Sequence, residues 1–377
     1  MGRQAVTVQG TTVQPGERGF GFLHVGYLAA RTEVRIPFQV INGAHEGPVL
    51  LFESGLQGWE PMGAEIIRRA LNRIDPKQLR GTIYALPFTS PPAVEIGGTI
   101  EGAGGRVNPI DQLDMNRVWP GKLTNGWLTE QMAGVMWNDI VTRCEYLLDL
   151  HDGTGSCEEL PVAFPKAFPE DTTNAVGDGA ADGVGEATVA GGASAPARLT
   201  TEKMRAMNDQ IRELAIAFGA QVTWWRPGPV NPAMLSGSCM LNGIIPIVAE
   251  CGGGHSMDLT IDQGVECSLN VFKHLKMIDG DLVLPKKQIM VSNYVVYRSQ
   301  TGGFYQAEPH IQLGTHVKKG ETVGRIVDPV TSAVVEECRS PVNGIIISRR
   351  VRMPMNPGSY VIHVADTDAI IWERTNP

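Results

Sequence analysis

The sequence predicts an α/β protein, in which helices cover both faces of a sheet, with a small all-β domain at its C-terminal end. Up to about residue 286, short apolar runs alternate with amphipathic helical patterns, the order that is typical of such a sheet. From residue 287 onward, strand-like runs recur about every 8 to 12 residues with glycines between them, which indicates an all-β domain. We therefore expect two domains, 1–286 and 287–377.

The first predicted elements lie between residues 33 and 86. Residues 33–41 alternate in polarity like a half-buried strand, and Pro37 favours a position at the sheet edge because proline cannot donate a ladder hydrogen bond. The apolar run 49–52 predicts a strand that is buried on both faces. Pro61 is a suitable first residue for the helix that follows, and residues 82–86 predict the next strand.

The same alternation continues to residue 250. We expect a helix over 127–144, a buried strand over 145–150, a helix over 204–218, and strands over 220–225 and 244–250. In open α/β sheets, the functional residues lie where strands end. The segments that follow the buried strands are therefore the places to search for a site.

A segment at about 175–196 interrupts this pattern. Between residues 175 and 195, glycine and alanine account for 13 of 21 positions. Such a composition buries little apolar surface, so we interpret the segment as a flexible surface insertion. A mobile flap over a pocket is the alternative.

Composition excludes several classes of protein. The 32 Lys and Arg residues are outnumbered by 40 Asp and Glu residues, which argues against a surface that binds nucleic acid or an anionic membrane. We find no apolar run long enough to span a membrane and no apolar signal peptide at the start. The six cysteines form no CxxC pair, and we interpret them as reduced thiols. We expect a cytoplasmic protein that acts on a small molecule, and a homo-oligomer is left open.

Polar residues that can do chemistry follow the predicted buried strands. His151 ends one strand between two aspartates, and Glu250 ends another immediately before Cys251 and three glycines. A carboxylate at the end of an apolar strand must be desolvated or paired, and glycines let a ligand approach closely. Gln57 and Glu60 lie in the turn after 49–52. Structural roles are the alternative, since an acid such as Glu60 often complements a helix N-terminus and a histidine can be a satisfied core residue.

Together these motifs resemble those of the succinylglutamate desuccinylase and aspartoacylase family, zinc hydrolases with the zinc-carboxypeptidase fold. The family motif of Gly, an apolar residue, and His-Gly-x-Glu is matched at 55–60, where Gln57 replaces the histidine. The family's Asp-Leu-Asn-Arg segment is matched at 114–117, and its third metal ligand at His151. The resemblance extends over essentially the whole chain except the insertion.

The resemblance implies a zinc-carboxypeptidase-like mixed sheet and one zinc ion, held by Gln57, Glu60 and His151. Zinc needs three protein ligands and an open position for water. An amide oxygen is a poorer zinc ligand than imidazole, so several outcomes stay open at position 57. Gln57 could ligate through its oxygen, the metal could be lost, or a metal that prefers oxygen could replace zinc. A neighbouring side chain could also substitute as the ligand: Glu53, Asp152 or His255.

The resemblance also assigns roles to residues around the metal. It implies that Glu250 is the general base and that Arg106, in a segment similar to one of close family members, polarises the scissile carbonyl. Asn116 and Arg117 would hold a substrate carboxylate. We therefore expect a metal-dependent amide hydrolase (a deacylase) that acts on a small carboxylate-bearing N-acyl amine or amino acid. The alternatives are a hydrolase with a non-zinc metal or an atypical substrate, and a catalytically silent carboxylate-binding protein.

The C-terminal region resembles the barrel-sandwich fold of biotinyl and lipoyl carriers, from 313 to 344. In those carriers a hairpin presents a lysine, but the corresponding hairpin at 328–333 contains none. We therefore expect a structural or pocket-capping domain rather than a carrier.

Overall fold

The computed structural model describes residues 3–97, 105–153, 155–170, 199–253 and 257–376. The segment predicted to be an insertion, 175–196, lies outside the described residues. The helices are α1 (Met62–Asn72), α2 (Pro91–Gly97), α3 (Leu128–Asp139), α4 (Thr201–Phe218), α5 (Leu235–Leu241) and α6 (Met257–His274).

The strands fall into two groups along the chain. Those before residue 253 are β1 (Val6–Val8), β2 (Thr11–Val13), β3 (Glu17–Tyr27), β4 (Glu33–Asn42), β5 (His45–Ser54), β6 (Arg80–Leu86), β7 (Tyr146–His151), β8 (Cys157–Ala163), β9 (Lys166–Ala167), β10 (Val222–Trp224), β11 (Arg226–Pro227) and β12 (Ile245–Gly252). Those after residue 286 are β13 (Lys287–Val291), β14 (Tyr294–Arg298), β15 (Gly303–Ala307), β16 (His316–Val317), β17 (Thr322–Val327), β18 (Val334–Arg339), β19 (Gly344–Arg350), β20 (Pro354–Met355), β21 (Tyr360–Asp366) and β22 (Ile370–Thr375).

One large mixed sheet organises the molecule. Its strand order is β14-β21-β19-β8-β12-β7-β5-β6-β4-β3, and β10, β13, β16 and β22 pair at its sides. At its centre, β5 pairs in parallel with β6 and β7, and β7 pairs in parallel with β12. The flanking pairs β12–β8 and β6–β4 are antiparallel. The carboxyl ends of β5, β7 and β12 therefore meet at one edge of the central sheet.

Helices cover both faces of this sheet. Successive side chains of a strand point to opposite faces, and β5 follows this rule. Leu50 and Phe52 pack in a core cluster with residues of α1, α4 and α6, whereas Leu51 packs in a second cluster with residues of α3 and α5. All three β5 side chains are buried, as the apolar run predicted. The α/β fold class with helices on both faces is confirmed.

Several predicted boundaries need correction. The helix predicted over 127–144 ends at Asp139 and is followed by a 3₁₀ turn at Val141–Arg143, where β-branched residues disfavour an α-helix. Pro37 does not place β4 at the sheet edge, because β3 occupies that edge and pairs with β4 along its length. Strand β6 pairs only with Gln39–Asn42 of β4, so Pro37 lies beyond the end of β6 and no ladder bond to β6 is lost there.

The C-terminal region forms a β-sandwich that continues the large sheet. A four-stranded sheet, β18-β17-β15-β20, packs over β19 and β21, and the two layers share a core that includes Val323, Ile326 and Val361. Strand β19 also pairs with β8, and β13 pairs with β10. Strands from both sides of residue 286 therefore belong to the same large sheet. The domain boundary at that position stays a prediction. Among the described residues, no helix has the length and apolar character needed to cross a membrane.

Candidate active site

Four of the predicted site residues lie at or just after the carboxyl ends of the central parallel strands. His151 at the end of β7 is the direct register partner of Glu250 in β12. Gln57 and Glu60 lie in the turn that leaves β5 and leads into α1. Glycine is required in this turn, because a Cβ at Gly58 would lie 1.9 Å from the carbonyl oxygen of Ala93. The turn is thereby held close against α2.

A cavity of about 530 Å³ opens at this edge, and all seven predicted site residues line it. They are Gln57, Glu60, Arg106, Asn116, Arg117, His151 and Glu250. Residues from the C-terminal region, including Tyr294 and His363, line the same cavity. The sequence motifs therefore converge on a single site, and the C-terminal region forms part of its wall.

His151 lies between two carboxylates. Its Nδ1 atom is 2.5 Å from Oε2 of Glu60, and its Nε2 atom is 3.2 Å from Oδ1 of Asp149. Burial by itself lowers the pKa of His151, but the charges of Asp149 and Glu60 and the hydrogen bonds to them raise this pKa well above its usual range. Glu60 is fixed from its other side by the indole N–H of Trp59, which donates to Oε1 at 3.1 Å.

A second carboxyl group lies behind Asp149. Glu53 and Asp149 are register partners in β5 and β7, and both are almost completely buried. Burial and the nearby charge of Asp149 raise the pKa of Glu53 well above its usual range. Burial acts to raise the pKa of Asp149 as well, but the charge of His151 and the hydrogen bonds from His151 and Glu53 together lower that pKa. Both carboxylate oxygens of Glu53 are buried without a hydrogen-bond partner among the described residues, so we infer that Glu53 carries a proton that it can share with Asp149. We call Glu53, Glu60, Asp149 and His151 the His151 cluster.

Gln57 is connected to Arg106 through Asp114. The amide Nε2 of Gln57 donates to Asp114 Oδ2 at 3.1 Å, and Nε of Arg106 donates to the same oxygen at 2.9 Å. Because the amide nitrogen of Gln57 is turned toward Asp114, the amide oxygen is the end that remains for a ligand. The sequence placed Asp114 in a family motif but gave it no role.

Asp114 also shapes the segment that carries the predicted carboxylate clamp. Its Oδ1 accepts from the backbone N–H of Asn116 at 2.9 Å and so caps the 3₁₀ turn Met115–Arg117. Asn116 is buried and its Oδ1 accepts from the backbone N–H of Leu235 at the start of α5. The NH₂ group of Asn116 is therefore the end that can face a ligand. Nη1 of Arg117 donates to the carbonyl of Asn116 at 2.6 Å.

Glu250 is surrounded by other charged groups. Burial raises its pKa well above the usual range, and the charges of Glu159, Glu60 and Asp152 raise it further, while the charge of His151 lowers it. A base whose pKa lies above that of an ordinary carboxylate is better matched to taking a proton near neutral pH.

Asp152, Glu53 and His255 were considered as metal ligands in place of Gln57. Asp152 accepts from the backbone N–H of Met62 at 2.9 Å and so caps the start of α1, although it also lines the cavity. Glu53 is buried against Asp149 and is not among the cavity-lining residues. His255 lies outside the described residues.

The donors at this site fit a divalent metal ion, with one weak position. A metal-binding histidine commonly donates its other ring N–H to a carboxylate, and His151 has Asp149 in that place. Glu60 supplies a carboxylate oxygen, and Gln57 could supply an amide oxygen. Within the described ranges, no three His, Cys, Asp or Glu side chains form a metal-binding group. Zinc itself stays a prediction.

The cavity is also lined by a cluster that the sequence did not reveal. The hydroxyl of Tyr294 in β14 donates to Oε1 of Glu159 in β8 at 3.0 Å, and it lies 3.1 Å from Nδ1 of His363 in β21. His363 Nδ1 is 3.5 Å from the same Glu159 oxygen. We call these three residues the Glu159 cluster. The one sequence signal was an acidic pair, Glu158 and Glu159, in an otherwise apolar strand.

The fold and the site together define a mixed α/β protein with a polar cavity at the carboxyl ends of its central parallel strands. Residues 46–176 match the family model described as the succinylglutamate desuccinylase/aspartoacylase catalytic domain. This match confirms the resemblance that the motifs indicated. The chain is similar to the N-alpha-acetyl-L-2,4-diaminobutyric acid deacetylase of Halomonas elongata, with 25% identity over 344 residues that cover 88% of this chain and 86% of the relative.

Solved structures share the fold over nearly the whole chain. A succinylglutamate desuccinylase from a Silicibacter species has a TM-score of 0.72 at 20% identity, covering 94% of this chain and 98% of the other. The product-bound ectoine utilization protein EutE (DoeB) from Ruegeria pomeroyi also has a TM-score of 0.72 at 20% identity, covering 97% and 99%. A succinylglutamate desuccinylase/aspartoacylase from Rhodobacter sphaeroides has a TM-score of 0.68 at 21% identity, covering 93% and 95%.

Proposed function

We propose that the protein is a metal-dependent hydrolase that cleaves the amide bond of a small N-acyl amine or amino acid bearing a carboxylate. The observation that carries this proposal is the convergence of all seven predicted site residues on one cavity at the carboxyl ends of the parallel strands. The Halomonas elongata relative, a deacetylase of an N-acetylated diamino acid by its name, supports the reaction class.

The proposed metal site comprises Glu60, His151 and the amide oxygen of Gln57, with zinc as the first candidate. When bound, such an ion lowers the pKa of a water molecule and polarises a carbonyl group. Asp149 holds the His151 ring so that Nδ1 faces Glu60 and the cavity. Asp114 holds the Gln57 amide with its oxygen available.

Glu250 carries the proton transfers in this proposal. As a carboxylate it accepts the proton of the attacking water, and as a carboxylic acid it then donates that proton to the leaving amine nitrogen. Burial favours its neutral form, so the gain of a proton from water costs less than it would for an exposed glutamate.

The two arginines have separate roles. Arg106 keeps its Nε on Asp114, which leaves the terminal nitrogens of the guanidinium to stabilise negative charge on the carbonyl oxygen in the transition state. Arg117 and the NH₂ group of Asn116 bind the substrate carboxylate in the ground state and the transition state alike.

Metal titration of the wild-type protein and Gln57→His tests the proposed site. Chelator-treated protein is titrated calorimetrically with zinc and, separately, with manganese, and hydrolysis of an N-acetyl amino acid is measured before and after the metal is added. We expect about one ion per chain and metal-dependent hydrolysis. Gln57→His should tighten zinc binding by about tenfold or more, since imidazole nitrogen is the better donor.

The outcomes separate the alternatives. Stronger binding of manganese than of zinc to the wild type would replace zinc by an oxygen-preferring metal. Absence of binding in both proteins would refute the metal-dependent mechanism. Binding of a substrate-like carboxylate without any hydrolysis would favour the catalytically silent protein.

A further inference from the structure

Phe164, Trp224 and Tyr294 form an apolar surface in a cavity whose other lining side chains are mostly charged or polar. We call these three residues the aromatic corner. All three pack in or against one core cluster, which includes Val222 and Ile289. Phe164 and Trp224 are only half-buried, so part of each ring remains open to the cavity. The cavity therefore contains apolar surface that none of the proposed catalytic roles uses.

The rings of the aromatic corner hold one another in fixed orientations. Tyr294 and Trp224 stack with a centroid separation of 4.8 Å and an interplanar angle of 12°. Phe164 meets both rings edge-on, at 5.6 Å from Trp224 and 5.4 Å from Tyr294. The hydroxyl of Tyr294 is held in addition by its hydrogen bond to Glu159. Stacked and edge-to-face arrangements are those that aromatic pairs prefer, so the corner is a preformed surface for a further flat ring.

The aromatic corner begins beside the strand that carries Glu250. The backbone N–H of Phe164 donates to the carbonyl oxygen of Val248 at 2.7 Å. Val248 and Glu250 are two residues apart in β12, so their side chains point to the same face of the sheet, and both line the cavity. Val248 is only half-buried, although β12 lies inside the sheet. A substrate whose leaving nitrogen reaches Glu250 therefore passes close to apolar surface.

The proposed carboxylate clamp is built from other parts of the chain. Asn116 is anchored to the backbone N–H of Leu235, which belongs to a different core cluster from the aromatic corner. In an α-amino acid, the carboxylate and the side chain leave the same carbon atom, so a clamp that holds the carboxylate keeps the side chain near it. The acyl group lies on the other side of the scissile bond. It is therefore the part of the substrate that is free to reach the aromatic corner.

We propose that the aromatic corner is the subsite for the acyl group and that it selects substrates whose acyl group carries a flat aromatic ring. This proposal rests on the proposed function, since it assigns the acyl group of the same reaction. The ring of the acyl group contacts Phe164 and Trp224 and replaces water on their open surfaces. The cavity volume of about 530 Å³ lies within the range of roughly 300–1,000 Å³ for sites of drug-sized ligands, which leaves room for such a ring.

Substrates that differ in the place of one aromatic ring test the subsite. N-benzoyl-L-alanine has the ring in its acyl group, N-acetyl-L-phenylalanine has it in the amino acid, and N-acetyl-L-alanine has none. Hydrolysis of all three is compared in the metal-loaded wild type, in Phe164→Leu and in the matched control Phe304→Leu. Phe304 is 39% exposed in β15 and is not among the described residues that line the cavity. Binding of N-benzyl-L-alanine and N-ethyl-L-alanine, which have no scissile amide bond, is measured by calorimetry in the same proteins.

We expect the wild type to favour N-benzoyl-L-alanine over N-acetyl-L-alanine by about 30-fold or more in kcat/KM, because the added ring leaves water for an apolar surface. Phe164→Leu keeps an apolar side chain but removes the ring, so it should reduce this preference by about fivefold or more, mainly by raising KM for the benzoyl substrate. N-benzyl-L-alanine should bind more tightly than N-ethyl-L-alanine, with the same dependence on Phe164. Phe304→Leu should keep the wild-type preferences. Val248→Thr, which keeps the shape of the side chain and adds a hydroxyl, should also lower the benzoyl preference and serves as the test if Phe164→Leu does not fold.

Several results would overturn the subsite. A folded Phe164→Leu variant that keeps the full benzoyl preference would do so. A preference for N-acetyl-L-phenylalanine alone that depends on Phe164 would place the ring in the amino acid and overturn the assignment to the acyl group. If the wild type hydrolyses none of the three substrates but binds N-benzyl-L-alanine with a preference that depends on Phe164, the proposed hydrolysis fails and the aromatic subsite stands. If hydrolysis occurs without a preference for the ring, the proposed function stands and the subsite fails.

Discussion

The His151 cluster and the Glu159 cluster both contribute residues to one cavity but are assembled in different ways. The first comes from two neighbouring parallel strands, β5 and β7, and the turn that follows β5. The second comes from β8, β14 and β21, and its Tyr294–Glu159 bond joins residues 135 positions apart in the chain. In the first cluster, a histidine contacts two carboxylates; in the second, one carboxylate contacts a tyrosine hydroxyl and a histidine. The proposed function places the chemical step at the first cluster and Glu250, and it gives the second cluster no part in that step.

Glu250 gives the largest test of this division. It lies in β12, between the strand that carries His151 and the strand that carries Glu159. Glu250→Gln keeps the size of the side chain but removes the proton acceptor, so kcat should fall by about 10² to 10⁴-fold on every substrate. Steady-state kinetics measure the fall, and thermal unfolding and metal content should be unchanged. If Glu159→Gln lowered kcat more than Glu250→Gln does, the assignment of the proton transfer to Glu250 would be wrong.

Arg106 and Arg117 test whether substrate binding and the chemical step depend on different residues of the cavity. Arg106→Ala should lower kcat by about 10² to 10³-fold, since its partner charge develops only in the transition state. Arg117→Ala should raise KM by about 10- to 100-fold for a carboxylate-bearing substrate, because a charge-assisted pair is lost. Arg80→Ala is the control, since Arg80 pairs with Asp279 at the surface and should change neither constant. Equal effects of both variants on KM alone would contradict the separation.

Glu53 provides a smaller test that depends on pH. Its raised pKa means that the folded protein keeps a proton that the unfolded chain releases near pH 4.5, so the free energy of unfolding falls as pH rises above that value. Glu53→Gln removes this pH-dependent contribution to the free energy of unfolding. Between pH 4.5 and 6.5, the variant should therefore gain about 1–2 kcal/mol relative to wild type, given about 1.4 kcal/mol per pH unit for one proton. Urea unfolding at the two pH values measures the difference.

The control for Glu53 is a carboxylate on the outer surface. The hydrogen bond from Arg68 is the main cause that lowers the pKa of Glu65 to about 2, so its stabilising effect is lost only as pH falls from about 4.5 through 2. Glu65→Gln should therefore leave the change in unfolding free energy between pH 4.5 and 6.5 close to that of wild type. An unchanged pH dependence in Glu53→Gln would show that Glu53 and Asp149 do not share a buried proton.

The same contrast explains what the sequence could predict. Residues of the His151 cluster stand at strand ends or in the turn after one, so a buried run followed by a polar residue was enough to find His151 and Glu250. The Gln57–Asp114–Arg106 contact depends on how two loops meet, which no local pattern encodes. Glu159 lies inside a strand, and its partners arrive only through the pairing of β8 with β19 and of β21 with β19 and β14.

Strands and helices were likewise predicted where a local sequence pattern marks them, and missed where it does not. The central strands were predicted because they are buried on both faces, and their apolar runs are continuous. Strand β3 was missed because Phe20 and Phe22 point outward and alternate with glycines, which reads as neither a buried strand nor an amphipathic one. The continuation of the large sheet beyond residue 286 was also missed, since strand pairing between distant segments leaves no trace in either segment alone.

The pairing of β8 with β19 has a consequence for how such a protein can diverge. This pairing joins the C-terminal strands to β8, which lines the cavity. The side chains that the C-terminal strands contribute to the cavity come from a different part of the chain than His151 and Glu250. Substitutions at positions 294 and 363 therefore change the cavity lining without altering the strands that carry His151 and Glu250. Deletion of the C-terminal region would have a different effect, because it would leave β8 and β10 without their partners β19 and β13 and expose those strand edges to association with other chains. Single residues of the C-terminal strands can therefore change at the cavity, whereas the strands themselves are needed to complete the large sheet.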